Sequence, residues 1–341
     1  MTGVQTCALP ISSIIVDAPI SLPGARKGEV WSPQNYEAGK VYGPQPIRKG
    51  LELSRNLMTV RLAMQVGMDK ITANAKKWGV VDQMDPVLAM ALGAGETTPY
   101  RLTAAYSIFP NGGRKIIPHL IEVVQDREGK LIYDADERKC QTCRRAFGGE
   151  GSPRLAQPGE QVLDPITSYE VTSMLEGVVQ RGTAVAARSL NRHIAGKTGT
   201  TNDYRSAWFV GFSQDLVVGV FVGFDDNRSL GHGEAGAVAA VPIFIDFMGQ
   251  AMKGKPDEPF KKPKGAKYLM INGVEEAFRP DNMPKRAPAP TTPTDAIAGP
   301  QPYDQVWKNG QVSGADNATG AVAPPPPPPK KKAPEDLEGL Y

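Results

Sequence analysis

The sequence predicts an α+β fold in which helices pack against an antiparallel sheet. Three observations lead there. Apolar residues recur at helical spacing in stretches over residues 47–79, 97–110 and 164–182. Three strand-like runs then follow with only short turns between them: "HIAGKTGTT" (193–201), "SAWFVGFS" (206–213) and "LVVGVFVGFDD" (216–226). Such a meander suits antiparallel pairing. A last apolar stretch, "AGAVAAVPIFIDFMGQAM" (235–252), reads as a largely buried helix. The sequence contains no internal repeat.

Taken in order, "IRKGLELSRNLMTVRLAMQVGMDKITANAKKWG" carries Leu51, Leu57, Met58, Leu62 and Val66 on an apolar stripe, with breaks expected near Ser54 and Gly67. The next segment, "PVLAMALGAGETTPYRLTAAYSIFPNGG", opens with apolar residues and breaks at Gly93 and Gly95. A helix then follows Thr97-Thr98-Pro99, since proline suits the first helical position. It should stop before Asn111-Gly112-Gly113, where glycine favours a C-terminal cap. "DPITSYEVTSMLEGVVQRGTA" is a further helix, begun by Asp164-Pro165 and ended near Gly182.

The 341 residues suffice for one large domain or two smaller ones. A net charge of +3, with lysines and arginines dispersed apart from Lys330-Lys331-Lys332, argues against nucleic-acid binding. No apolar run reaches the ~18–20 residues that a membrane helix needs. The N-terminus lacks the basic start and apolar stretch of a signal peptide. Cys140 and Cys143 form "CQTC" inside a polar insertion (residues 134–160), and Cys7 stands near the start. A zinc site would need a second ligand pair, which the isolated His119, His193 and His232 do not supply. A local disulfide or two surface thiols are expected there, and neither metal nor cofactor. Residues 256–341 are rich in Pro and Lys and read as a largely disordered tail. A short hairpin is expected at 267–278, where Asn272-Gly273 suits a two-residue turn.

Two motifs carry chemistry. "RHIAGKTGTTNDYRSAWFVGF" (192–212) sets Lys197, Thr198, Gly199 and Thr200 in a strand where core residues would normally stand. Strand alternation turns residues 198 and 200 to the same face, and Gly199 leaves room for another backbone. Upstream, "LELSRNLMTV" supplies the triplet Ser54-Arg55-Asn56. Ser-x-Asn followed by Lys-Thr-Gly belongs to the signature set of penicillin-recognising serine enzymes.

The wider context extends that likeness. "YGPQPIRKGLELSRNLMTVRLA", "ALGAGETTPYRLTAAYSIFPNGG", "VLDPITSYEVTSMLEGVVQRGTA" and "IAGKTGTTNDYRSAWFVGFS" closely resemble consecutive blocks of the transpeptidase domain of class A penicillin-binding proteins of the 1A type. The resemblance spans about residues 14–255 and implies a serine-β-lactamase-like domain over 13–255. That domain would have a five-stranded antiparallel sheet, flanking helices and a helical subdomain, and would be incomplete at the N-terminus. It also implies a bifunctional cell-wall synthase on the periplasmic face of the bacterial inner membrane. The glycosyltransferase domain and anchor of such a synthase would lie outside these residues. Implied partners are peptidoglycan stem peptides on glycan derived from lipid II, β-lactam antibiotics, and a synthase activator or divisome or elongasome proteins.

By that resemblance the reaction is acyl transfer between stem peptides. Lys197 would place a cation beside the nucleophile and the substrate carboxylate, and Ser54 would relay a proton to the leaving or entering amine. Asn56 would hold the substrate amide. Thr198 and Thr200 would bind the carboxylate, with the Thr200 N–H as one oxyanion donor, while a peptide adds alongside Gly199.

One departure matters. No Ser-x-x-Lys occurs anywhere in the chain, so the nucleophile and its base lysine are absent. In the family that motif lies a short distance before a segment like "SIIVDAPI" (13–20). Residues 1–12, "MTGVQTCALPIS", fit nothing in the family and read as a non-native, adapter-like segment. The chain itself is therefore expected to be inactive. The alternatives are a related D,D-carboxypeptidase or class B transpeptidase, or a non-catalytic pseudoenzyme that binds peptidoglycan or a synthase partner.

Overall fold

The computed structural model describes residues 10–24, 28–136 and 159–284. Strand β1 (Ile14–Asp17) is followed by the short pair β2 (Leu22–Pro23) and β3 (Val30–Trp31), then by β4 (Gly43–Pro46), which returns antiparallel to β1. Helices α1 (Ile47–Glu52), α2 (Asn56–Val66) and α3 (Met68–Trp78) come next, parted at the two predicted breaks. Gly67, at φ 91°, makes the second break. Helix α4 (Pro99–Tyr106) is capped by Thr98, whose hydroxyl accepts from the Arg101 N–H at 3.2 Å.

Strands β5 (Arg114–Lys115), β6 (Val123–Gln125), β7 (Leu131–Asp134) and β8 (Glu160–Gln161) form two small antiparallel pairs, β5 with β8 and β6 with β7. Cys140 and Cys143, with most of the polar insertion, lie outside the described residues. Helix α5 (Pro165–Arg181) starts at Asp164, whose carboxylate accepts from the Ile166 and Thr167 amides. Then come β9 (Ala195–Thr200), β10 (Ser206–Phe212), β11 (Val217–Gly223), helix α6 (Val241–Ala251), and the hairpin of β12 (Lys267–Ile271) with β13 (Val274–Phe278).

Strand order in the central sheet is β11-β10-β9, all antiparallel, which leaves β9 at an edge. The resemblance implied five strands; among the described residues this sheet has three. The β12–β13 pair does not extend it. That hairpin pairs with itself and buries Ala277 and Phe278 against α5 instead. Helix α5 is thus sandwiched. Its Leu175, Val178 and Val179 join Phe209, Phe212, Phe244 and Met248 in the main core, while Met174 meets Phe278 and Ile11 on the other side. Each such large side chain contributes about 1.5–3 kcal/mol on burial.

One composition-based expectation is corrected here. Helix α6 buries one stripe, Val241, Phe244 and Met248, and leaves Ile243 and Phe247 half exposed, because only one face meets the sheet. Of the Pro- and Lys-rich segment from 256, residues 256–284 are described, and the hairpin expected at 267–278 is formed by β12 and β13. A few apolar anchors, Phe260, Ala277 and Phe278, suffice to tie its polar sequence to the core. Residues 285–341 lie outside the described region.

Candidate functional site

The turn between α1 and α2 places Ser54 at φ 53°, a left-handed conformation uncommon for serine. Its shape is held from beneath. Glu52, fully buried, receives Arg181 Nη2 at 2.5 Å and Arg48 Nη1 at 3.4 Å. Arg48 in turn makes a two-pronged pair with Glu276 of β13 and donates to the Ser173 carbonyl at 2.8 Å. The fork of a guanidinium suits such a shared role. The C-terminus of α5 closes the support, where the Thr183 N–H donates to the Glu52 carbonyl at 3.2 Å.

A second network holds the other side of the turn. Arg55 stacks over the Tyr42 ring at 4.1 Å and lies 4.0 Å from the buried Asp17 carboxylate. Asp17 accepts from Asn35 Nδ2 at 2.8 Å, and Asn35 Oδ1 accepts the otherwise orphaned Leu57 N–H at the start of α2. Asn56 turns its amide to the Gln34 carbonyl, 2.8 Å away.

Opposite this turn runs β9. Lys197 Nζ donates to Ser54 Oγ at 2.8 Å and to the Thr198 carbonyl at 2.9 Å. Burial lowers the Lys197 ammonium to a pKa of about 8. The two threonine hydroxyls are each engaged within the protein. Thr198 Oγ1 lies 2.7 Å from Thr183 Oγ1, and Thr200 Oγ1 accepts from the Gly236 N–H at 3.0 Å. Gly199 stands opposite Trp208, whose Cβ would be 3.1 Å from an added side-chain carbon. Because β9 is an edge strand, one row of its backbone groups is not committed to the ladder.

The structure thus brings Ser54, Lys197 and Thr198 together across 143 residues of sequence, with Gly199 and Thr200 continuing along the strand. Asn56 flanks them but is directed to Gln34, and no bond joins it to Lys197 among the described contacts. Thr183 lies inside a family-like block but is not singled out by the sequence, and "EAGAV" around Gly236 holds no recognisable pattern; only the hydroxyl-rich strand they face hints that partners are needed. Among the described residues no group of three or more His, Cys, Asp or Glu side chains is arranged to hold a metal ion.

Comparison with known proteins identifies the family of this fold. Residues 17–249 match the family described as penicillin binding protein transpeptidase domain. The chain is 43% identical over 285 residues to Penicillin-binding protein 1A of Rickettsia bellii (strain RML369-C), covering 80% of this chain and 36% of that relative. It is 38% identical over 271 residues to Penicillin-binding protein 1A of Neisseria flavescens, covering 79% of this chain and 32% of the relative. Among solved structures, Penicillin-Binding Protein 1A from Haemophilus influenzae superposes with a TM-score of 0.71 at 31% identity, covering 82% of this chain and 46% of that one. The PonA1 protein from Mycobacterium tuberculosis, solved with penicillin V, shares the fold at a TM-score of 0.60 and 21% identity, covering 80% of this chain and 71% of that one. The chain spans about a third of the length of these curated relatives (36% and 32%). With its strands, its Ser54–Lys197 contact and these matches in agreement, the chain belongs to the penicillin-binding protein transpeptidase family, and its relatives are of the 1A type.

Proposed function

We propose that this chain carries the substrate-binding half of a peptidoglycan cross-linking D,D-transpeptidase, part of a bifunctional synthase acting on the periplasmic face of the inner membrane. The observation that carries the reading is the 2.8 Å contact between Lys197 Nζ and Ser54 Oγ. A serine nucleophile would attack the penultimate D-Ala carbonyl of a stem peptide and release the terminal D-Ala. An amine of a neighbouring stem would then take the acyl group. Lys197 serves the substrate carboxylate electrostatically, and its lowered pKa eases proton exchange through Ser54. Thr198 and Thr200 offer the carboxylate hydroxyls once their present partners yield. Gly199 keeps the strand open to an added peptide, and Asn56 receives its amide.

The reaction also needs a nucleophile, and no Ser-x-x-Lys stands in these 341 residues. We therefore assign the nucleophile and the glycosyltransferase activity to residues outside this sequence, and expect the chain alone to be inactive. A fluorescent penicillin tests this directly. The chain should take no covalent label. The same chain preceded by the Ser-x-x-Lys segment of its parent gene should label, and should lose labelling on Lys197→Ala or Ser54→Ala. Labelling of the 341-residue chain itself, or unchanged labelling of either variant, would overturn the assignment.

A further inference from the structure

Two tyrosines meet beside the Ser54–Lys197 site, near the open edge of β9. Tyr36 Oη and Tyr204 Oη lie 3.1 Å apart, and their rings meet edge to face at 6.4 Å. Starting at Ser54, the chain runs through Arg55 to Asn56, whose amide donates to the Gln34 carbonyl, and Gln34 leads through Asn35 to Tyr36. Tyr204 leads back along the chain to Thr200 and Lys197, and Lys197 returns to Ser54. Three hydrogen bonds and three short chain segments thus form a closed circuit that runs through Ser54, Lys197 and the tyrosine pair.

Both tyrosines are held by their backbones. Tyr36 follows the buried Asn35, which is bonded to Asp17 and to the Lys40 carbonyl. The Tyr204 carbonyl accepts the Leu230 N–H at 2.8 Å, and its ring packs on His232 at 5.6 Å. Tyr204 and its neighbour Asp203 have φ of 54° and 60°. A bulky aromatic residue held there carries strain, and strain of this kind collects at clamps and switch points. The bridge itself is soft, one exposed hydroxyl pair.

Resting on the acyl-peptide reading above, we propose that Tyr36 and Tyr204 form a gate that positions the incoming peptide. The pair closes off the open edge of β9 when empty and parts to admit an extended chain along it. The closed pair then lowers apparent affinity by the fraction of time the gate stands open.

Association of a diacetyl-lysyl-D-alanyl-D-alanine peptide with the full chain tests this. Tyr36→Phe and Tyr204→Phe should each raise the association rate about five-fold, the weight of one exposed hydroxyl pair, and leave dissociation unchanged. The double variant should gain no more than either single one, because both remove the same bond. The bond also lifts the Tyr36 hydroxyl above its ordinary pKa, so Tyr204→Phe should bring tyrosinate formation at Tyr36 back down. Unchanged association, or faster dissociation in the variants, would overturn the gate alone. Binding by neither wild type nor variant would overturn the acyl-peptide reading and the gate with it.

Discussion

Gly182 lies directly beneath the carbonyl of Glu52, so close that a side-chain carbon there would stand 2.2 Å from that oxygen. The end of α5 therefore serves as the bed on which the Ser54 turn rests. Gly182→Ala should cost about 1–3 kcal/mol through overpacking and draw Ser54 away from Lys197. Urea unfolding would measure the loss. Gly249→Ala is the control, since its nearest neighbour is the Leu190 side chain at 3.7 Å within an α-helix. That change should be neutral or stabilising by up to about 1 kcal/mol.

The pair between Arg48 and Glu276 is almost dry, at 6% and 5% side-chain exposure. Removing Glu276 leaves the buried Arg48 cation with only a longer, 3.4 Å contact to the Glu52 carboxylate. Glu276→Ala should destabilise the chain by about 3–5 kcal/mol, while Arg48→Met combined with Glu276→Leu should recover much of that. Thermal unfolding of the two variants side by side would decide; equal losses would contradict a penalty that comes from the stranded charge.

Lys197 ionises near pH 8 when folded against an ordinary value of 10.5. Between those values the unfolded chain binds the extra proton, so wild-type stability should rise as pH increases from 8 to 10.5. Below pH 8 the cost of burying the cation is present in full. Lys197→Met should gain about 1–3 kcal/mol at pH 7 and lose that alkaline rise. Unfolding curves at pH 7, 9 and 10.5 would show it, and a destabilised Met variant would contradict it.

Glu170 presents the opposite case. Burial raises its carboxyl from 4.5 to about 7. Its contribution is greatest below pH 4.5 and is lost as pH climbs through 7, because the folded state resists ionisation. Glu170→Gln should stabilise by about 1–3 kcal/mol at pH 8 and by little at pH 4.5. A gain of equal size at both pH values would point to packing instead.

Much of this architecture can be read along the chain. The meander of β9, β10 and β11, the break at Ser54 and the caps at Thr98-Pro99 and Asp164-Pro165 follow from local rules of periodicity and capping. The Lys-Thr-Gly and Ser-x-Asn triplets mark residues that the fold brings together at Ser54 and Lys197. What escapes is long range. The i,i+4 neighbour Arg48 is the only local hint of a buried carboxylate at Glu52; its shorter bond comes from Arg181, 129 residues away. Thr183 gains meaning only when Thr198 arrives opposite it. Composition also misleads where a handful of contacts decide the outcome. Phe260 and Phe278 pin a segment whose average polarity resembles that of a tail. The five-stranded sheet came from likeness and not from periodicity, which marks three strands.

The Arg48–Glu276 pair joins residues 228 apart. A chain emerging from the ribosome presents Arg48, Ser54 and later Lys197 well before it presents Glu276. Domains generally fold as units in the order of synthesis, yet here the support of the Ser54 turn arrives late. Until β13 is made, Arg48 lacks its two-pronged partner Glu276. A translation product cut short before β13 would keep its sheet motif while lacking the clasp that sets the site's geometry.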